Sequence, residues 1–292
     1  MARTSADEAR AFQSAPTPSG KPATLRDCVG RRSTATRTLR TSVATLALLV
    51  FTSACAHASA NELVFVDRGF HVDVPGDLRH AADAAHVDLR RAVGDALGRI
   101  QAKLQTKPTS IRFFTGSRVI PQLGITGFTN PGSGAVAITI DLNSPVGVRK
   151  ILNDYLGPAL AHELHHSKRI LVGPGYGALI GQAVVTEGMA IAFERDVYPD
   201  DDPPYARALA PDKELSLWRQ LQPHLNDADY TPAHSYWFFG TNGGAVWAGY
   251  TIGYHIAKEY LQGHPKESAA SLALLPTPTV LSHSGYDGRA PT

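Results

Sequence analysis

The chain has 292 residues, of which 43% are hydrophobic and 18% are charged, an ordinary composition for a globular protein with a sizeable core. Its net charge of +2 is unevenly spread: residues 1–60 hold eight Lys/Arg and three acidic residues, which leaves a net charge of −3 on the remainder. A slightly acidic folded part lacks the concentrated basic surface that nucleic acids require, so we expect no nucleic-acid partner.

The first 60 residues have the order of an export signal. Four arginines precede an apolar run from Val43 to Phe51, and small residues then extend to Ala60. The run is too short to cross a bilayer, and a positive, an apolar and a small-residue segment in this order are typical of a signal peptide. The alternative is a helix buried in the fold, which does not account for the arginines before the apolar run or the small residues after it. The pattern therefore predicts a disordered basic leader with a signal peptide, and export to a bacterial periplasm.

Two cleavage points fit the small residues of this leader. Cleavage after Ala60 would release a soluble protein. Cleavage before Cys55 would leave a lipid-anchored protein, because Thr52-Ser53-Ala54-Cys55 resembles a bacterial lipobox. Both cysteines, Cys28 and Cys55, lie in the leader, so residues 61–292 have no thiolate ligand, thiol nucleophile or disulfide.

The first part of the folded region alternates between strand and helix patterns. Apolar and β-branched residues predict strands at Leu63–Val66, Ser110–Thr115 and Ala135–Leu142. Apolar residues at three- and four-residue steps predict one amphipathic helix from His80 to Gln105. A stretch rich in Gly, Pro and Asn predicts a loop or hairpin at Gly124–Gly134. We expect these strands to form one small sheet.

After Pro145 the patterns become helical. Helices are predicted from Val148 to Arg169, from Tyr176 to Val197 and from Gly244 to Gln262. A sheet-bearing half followed by a mainly helical half is an α+β fold.

Weaker elements lie between and after these helices. Asp212 is the expected N-cap of a short helix that ends at Leu221, and the aromatic segment His234–Phe239 is expected to be a loop. Residues 268–292 contain several Pro and Gly and are predicted to be a loosely ordered tail. The division of the chain is therefore a leader at 1–60, one domain at 61–267 and this tail.

The helix predicted from Val148 contains His162-Glu163-Leu164-His165-His166, the pattern His-Glu-x-x-His. Four residues turn an α-helix by about 400°, so His162 and His166 share one face and can bind one Zn²⁺. Glu163 lies beside them, where its carboxylate can act as the catalytic general base on water. The alternative is three histidines on a solvated face. We expect His165 behind a ligand or at the surface.

A catalytic zinc site needs a third protein ligand and an open fourth position. Since cysteine is absent, that ligand is His, Asp or Glu. Glu187 lies in the next predicted helix, 21 residues after His166, and its neighbours on both sides are apolar. Burying a lone carboxylate there is costly unless a cation meets it, which favours Glu187 as the third ligand. The alternative is an exposed Glu on an amphipathic helix.

Two other classes of His-Glu-x-x-His enzyme fit less well. A metzincin needs a glycine at the position of Arg169 and a third histidine soon after His166, and neither is present. The deformylase type takes a cysteine ligand, which the folded part lacks. Both classes are therefore disfavoured.

These motifs resemble a gluzincin-type family of predicted zinc-dependent proteases, catalogued as a domain of unknown function. The resembling segments are His162–His166, Glu187–Ala190, Trp237–Gly240 and Gly249–Tyr254, and the first two are the specific ones. In gluzincins generally, the glutamate of a Glu-Gly-x-Ala segment is the third zinc ligand. The resemblance thus implies a zincin-like metallopeptidase domain with His162, His166 and Glu187 as metal ligands.

The resemblance has two further implications. A substrate-binding edge strand should lie above the metal helix, and Ala135–Leu142 is the candidate. A Tyr or His near the metal should stabilise the oxyanion. Tyr250 and Tyr254 are four residues apart on one face of the last helix, and both are candidates for this catalytic role, with Tyr254 slightly preferred. Both tyrosines could instead pack in the core.

Other residues near these motifs have two readings each. Glu194 lies seven residues after Glu187 on the same helix face, so it either orients a ligand histidine or is solvated. The aromatic residues Trp237, Phe238 and Phe239 are expected in the core more than in a pocket.

The sequence predicts zinc-dependent hydrolysis of peptide bonds in a peptide or protein substrate, with Glu163 as general base. One alternative is a zinc-binding envelope protein without turnover, which a fourth protein ligand such as His255 would support. Another is a zinc amidase that acts on cell-wall peptide.

Overall fold

The computed structural model describes residues 62–288, which form an α+β fold around a five-stranded mixed sheet of order β1-β2-β3-β5-β4. The central strands β2, β3 and β5 run parallel, while β1 pairs with β2 and β4 pairs with β5 in antiparallel fashion. The predicted fold class is confirmed. The strands are β1 (Leu63–Asp67), β2 (Phe70–Val74), β3 (Ser110–Thr115), β4 (Ile125–Thr129) and β5 (Val136–Ile140).

Helices cover the inner face of the sheet and form the second half of the fold. Short helical turns at Val148–Lys150 and, with π-helical bonding, at Ile151–Tyr155 lead directly into α3. In the described part of the chain, no helix has both the length and the apolar character that a membrane crossing needs. The helices are α1 (Gly76–Ala84), α2 (Leu89–Leu104), α3 (Leu156–Val172), α4 (Ile180–Val197), α5 (Pro211–Leu221), α6 (Thr231–Phe239), α7 (Ala248–Gly263) and α8 (Thr277–His283).

Helices α4 and α7 cross with their backbones in contact. A Cβ atom on Gly188 would overlap the carbonyl group of Gly253, and one on Gly253 would overlap the carbonyl oxygen of Val184. Only glycine allows this approach at the crossing point. Gly188 directly follows Glu187, so the crossing fixes the part of α4 that carries a predicted metal ligand.

The N-terminal half differs from the sequence prediction in two places. The single helix expected from His80 to Gln105 is wrong: α1 ends at Ala84, His86 has a left-handed backbone (φ 55°), and Asp88 caps α2 by accepting from the Arg91 amide. The apolar spacing continues across this break, which is why it resembled one helix. Strand β2 was not predicted, although its buried Phe70, Val72 and Val74 alternate with more exposed residues.

The predicted edge strand is also wrong. Strand β5, which corresponds to the candidate Ala135–Leu142, lies between β3 and β4, and β4 is the edge strand at that end of the sheet. The segment Gly124–Gly134 therefore forms the edge strand and the turn of a hairpin. Strand order depends on which strands pair in three dimensions, and the composition of these segments does not contain that information.

Three expectations for helices α5, α6 and α7 are corrected. Asp212 is not a cap but lies in the first turn of α5, which starts at Pro211 after Ala210. The segment expected as an aromatic loop, His234–Phe239, is helical and belongs to α6. Helix α7 starts at Ala248 and not at Gly244, because Trp247 has a left-handed backbone.

The C-terminal segment from residue 268 to residue 288, the last that the structure describes, is packed against the domain and not loosely ordered. Leu272 and Val280 are fully buried. The Arg169 guanidinium, at the end of α3, donates a 2.7 Å hydrogen bond to the Leu275 carbonyl oxygen. Turn-forming Pro and Gly shape this segment without preventing its burial. The division at residue 60 stays a prediction, since the leader and both cysteines lie outside the described residues.

Candidate metal centre

Helices α3 and α4 bring His162, His166 and Glu187 together. The two Nε2 atoms of the histidines are 3.1 Å apart, and Glu187 Oε2 lies 3.1 Å from His162 Nε2 and 3.4 Å from His166 Nε2. Ligand atoms around a tetrahedral zinc, at about 2.0–2.1 Å from the ion, lie roughly 3.3 Å from one another. Two imidazole nitrogens and one carboxylate oxygen at this spacing fit a single zinc ion.

The charges in this buried cluster also suit a cation. Burial raises the pKa of Glu187, but His166 and His162 outweigh burial and hold that pKa well below its usual value. Burial lowers the pKa of His162, yet hydrogen bonds to Glu187 and Glu194 bring it well above its usual value. The Glu187 carboxylate therefore stays ionised, and its buried negative charge favours a bound cation.

The Glu194 carboxylate contacts His162 at Nδ1, the ring nitrogen that faces away from the cluster. Its Oε2 lies 3.0 Å from His162 Nδ1, and its side chain is almost completely buried. The Tyr205 hydroxyl in turn donates to Glu194 Oε1 at 2.8 Å. A proton on Nδ1 that is held by a carboxylate leaves Nε2 free to bind metal. The orienting role weighed for Glu194 agrees with this geometry, and the solvated alternative does not.

Strand β4 lies directly over Glu163. A Cβ atom on Gly127 would overlap the Glu163 side chain, so this strand can approach only because residue 127 is glycine. The Thr129 hydroxyl donates to Glu163 Oε2 at 2.6 Å. Burial raises the pKa of Glu163, while His162 and His166 partly oppose that rise. The carboxylate is thus held in one orientation beside the metal ligands.

A cavity of about 580 Å³ opens at this cluster. His162, Glu163, His166 and Glu187 all contribute to its surface, so the cluster is accessible from one side. The rest of the wall is largely apolar and comes mainly from β4, the segment before it, helices α6 and α7 and their connection, with Tyr176, Tyr205 and Ala208 from other segments. A substrate can therefore reach the position that a fourth metal ligand would occupy.

The segment from residue 114 to residue 282 matches the model of a family described as predicted Zn-dependent protease, domain of unknown function 2268. This match covers more than half of the chain and includes every residue of the cluster. The chain belongs to this family. No curated protein matches the sequence.

The two tyrosines of α7 lie in different places in this family member. Tyr250 lines the cavity of the metal centre. Tyr254 does not: it borders a shallow depression elsewhere, with the Arg195 guanidinium 5.4 Å above its ring. One helical turn separates the two residues, and only the first turn of α7 reaches the cavity. The slight preference for Tyr254 is therefore not supported, and Tyr250 remains as the candidate.

Two further histidines lie outside the cluster. His165 is fully buried and stacks on Phe193, and burial holds its pKa well below the usual value. His255 Nδ1 is 2.6 Å from Glu214 Oε1, so His255 is occupied elsewhere and is not a fourth ligand. Of the three aromatic residues expected in the core, Phe239 instead lines the cavity.

Several polar residues of the cavity are not predicted from the sequence, among them Tyr176 and His234. The Tyr176 hydroxyl donates to Glu187 Oε1 at 2.6 Å, which leaves Oε2 for the histidines. His234 faces the cavity, and its Nδ1 lies 3.0 Å from Asp229 Oδ1. Helix α4 starts at Ile180 and not at the predicted Tyr176, so Tyr176 lies in the turn before α4. Its place in the connection that returns α4 to the histidines was the available signal. Nothing local to His234 indicates its place.

Proposed function

We propose that this protein is a zinc-dependent peptidase that hydrolyses peptide bonds in a peptide or protein substrate. The observation that carries the proposal is the convergence of His162, His166 and Glu187 at an open cavity, with the Glu163 carboxylate beside them. The family description points to the same class of enzyme. Three protein ligands and an accessible fourth position are typical of catalytic zinc.

In this proposal His162, His166 and Glu187 hold the metal. When bound, zinc acidifies water and polarises a carbonyl group. Glu163 accepts the proton of the attacking water and returns it to the leaving amine. Its pKa, which burial raises, suits a group that must both take and give a proton. Thr129 keeps the carboxylate in position for both transfers.

Tyr250 is the proposed donor to the developing oxyanion. Its ring lines the cavity, and burial together with Glu187 and Glu163 raises the pKa of its hydroxyl well above the usual value. The hydroxyl therefore keeps its proton and can donate a hydrogen bond. His234, oriented by Asp229, is the second polar group of the cavity placed to serve the substrate.

Edge strand β4 is the proposed site for the substrate main chain. Within the described residues, β4 pairs along its length with β5, and on the other side only Ile120 bridges to Ile125. An extended peptide can add to such an edge through main-chain hydrogen bonds. Because β4 covers Glu163, a peptide bound there passes close to the general base.

The test is metal analysis of purified residues 61–292, with peptide hydrolysis measured before and after chelation. Glu163→Gln should keep zinc and lose nearly all turnover, because it removes the proton acceptor and keeps the shape. The exposed Glu62→Gln is the matched control and should behave as wild type. Native turnover by Glu163→Gln would refute the assigned role. Cleavage of cell-wall peptides but not of linear peptides would indicate an amidase.

We further propose that the protein is exported to a bacterial periplasm, with Cys55 as a lipid-anchor site. The proposal rests on the order of charged, apolar and small residues in the first 60 positions. Cell fractionation of wild type and Cys55→Ser tests it. Membrane association that is lost in Cys55→Ser indicates an anchor, equal solubility of both indicates cleavage after Ala60, and retention in the cytoplasm contradicts export.

A further inference from the structure

Trp247 has an unusual backbone conformation immediately before α7. Its φ of 60° lies in the left-handed region, which bulky residues rarely adopt. The conformation is held by its surroundings: the Trp247 amide donates to the Phe238 carbonyl at 2.9 Å, and Phe239 forms a bridge with Val246. Strained residues of this kind persist where the structure over-determines them, and they concentrate at ligand sites.

The strained residue belongs to the cavity wall. The last residue of α6, Phe239, and the α6–α7 connection, through Val246 and Trp247, contribute to the cavity, and Phe128 contributes from the edge strand. The Tyr205 ring meets the Trp247 ring edge to face, with centroids 6.4 Å apart. Trp247 is thus supported by a residue of the metal centre's own hydrogen-bond network.

The side chains that line the cavity carry few charges. Among the described residues that line the cavity there is no Lys, Arg or Asp, and the two glutamates are Glu163 and Glu187. Both oxygens of Glu187 are engaged, by Tyr176 and His162, and Glu163 Oε2 accepts from Thr129. A negatively charged substrate side chain would lose its hydration here beside two glutamates and with no Lys or Arg in the lining, whereas an apolar side chain would gain by leaving water.

We propose that this cavity selects a large apolar substrate side chain next to the cleaved bond, and that Trp247 is the residue that determines this selection. The inference rests on the proposed peptidase function and names its substrate class: peptides with an aromatic or large aliphatic residue at that position. Selection of this kind is a difference in binding, so binding can be measured separately from turnover.

The experiment uses zinc-loaded Glu163→Gln protein and two labelled peptides that differ only in one residue, Phe or Asp, with that position scanned along the peptide. Fluorescence anisotropy gives the two dissociation constants. We expect the Phe peptide to bind at least about tenfold more tightly, within the range that one apolar side chain provides. Equal binding, no binding of either peptide, or preference for Asp would overturn the proposal.

Trp247→Gly in the same background removes the ring and keeps the left-handed backbone, which glycine adopts without strain. The preference for Phe should fall towards one while zinc stoichiometry stays unchanged. The matched control is Asn242→Gly, an exposed residue of the same connection with φ 52° that does not line the cavity. Trp247→Phe should restore part of the preference. An unchanged preference in Trp247→Gly contradicts the role of this residue.

The two proposals fail in distinguishable ways. If wild-type protein cleaves no peptide but Glu163→Gln still prefers the Phe peptide, the peptidase function is wrong and the cavity assignment stands. If wild type cleaves peptides in a chelator-sensitive manner without apolar preference, the function stands and the cavity assignment is wrong.

Discussion

At the scale of single residues, the candidate metal centre contains three hydroxyl groups that hold carboxylates. Thr129 holds Glu163, Tyr176 holds Glu187, and Tyr205 holds Glu194. Each bond removes rotational freedom from a carboxylate before metal or substrate binds. Residues that hydrogen-bond to metal ligands typically contribute 10- to 100-fold in metal affinity.

Tyr205→Phe should weaken zinc binding by roughly 10- to 100-fold. The ring remains in the wall, but Glu194 loses its donor and holds His162 less firmly. Competition with a chromophoric chelator measures the affinity. Tyr230→Phe, at an exposed tyrosine, is the control and should leave it unchanged. Equal affinities for wild type and Tyr205→Phe would show that Glu194 needs no support.

Tyr250→Phe should lower kcat by roughly 10²–10³ and leave zinc content unchanged, because it deletes a hydrogen-bond donor to the oxyanion. Tyr254→Phe, one helical turn away and outside the cavity, should have little effect on kcat. Steady-state kinetics on one peptide substrate compares the two variants. A larger loss in Tyr254→Phe than in Tyr250→Phe would reverse the assignment.

At the scale of elements, the α4–α7 crossing accounts for the glycines in two of the segments that carry the family resemblance, Glu187–Ala190 and Gly249–Tyr254. Gly188 of Glu187–Ala190 and Gly253 of Gly249–Tyr254 contact each other at the crossing. The first segment thus combines Glu187 of the cluster with the glycine that fixes α4. The second combines Tyr250 of the cavity wall with the glycine that fixes α7. The proposed metal ligand and the cavity wall are therefore positioned by one helix contact.

Gly188→Ala should destabilise the fold by about 1–3 kcal/mol or more, because a methyl group forces two backbones apart in a packed core. It should also reduce zinc affinity, since Glu187 moves with the helix. Chemical denaturation of metal-free protein gives the free energy of unfolding. The control is Gly263→Ala, at the last residue of α7, where open space surrounds the glycine. This variant should leave the free energy of unfolding unchanged. Similar stabilities for both variants would contradict the close crossing.

At the scale of the whole molecule, a bound metal should join the two halves of the helical layer. His162 and His166 come from α3, and Glu187 comes from α4. A ligand that binds only the folded state stabilises it by about 2.7 kcal/mol when present at 100 times its Kd. We therefore expect zinc to raise the stability of the entire domain and not only of the site.

Adding zinc to chelated protein should raise the midpoint of thermal unfolding, and the increase should grow with zinc concentration. The combined variant His162→Ala and His166→Ala should show no such dependence. Differential scanning calorimetry at several zinc concentrations measures it. A midpoint that zinc does not shift in wild type would mean that the cluster does not bind the metal.

The amino-acid sequence by itself determined the local part of this site. Helical periodicity places His162 and His166 on one face, and the cost of burying a carboxylate indicates Glu187. Both arguments need only neighbouring residues. The α+β class follows in the same way from local patterns, although these patterns did not predict the break between α1 and α2 at His86.

Only the tertiary structure decided which distant residues meet these ligands. Strand order made β4 and not β5 the edge over Glu163, and the direction of α7 brought Tyr250 and not Tyr254 to the cavity. Tyr205 and Trp247 joined the site through packing of segments far apart in the chain. Local propensities do not contain such pairings, because they arise from packing and hydrogen bonds formed when the chain closes on itself.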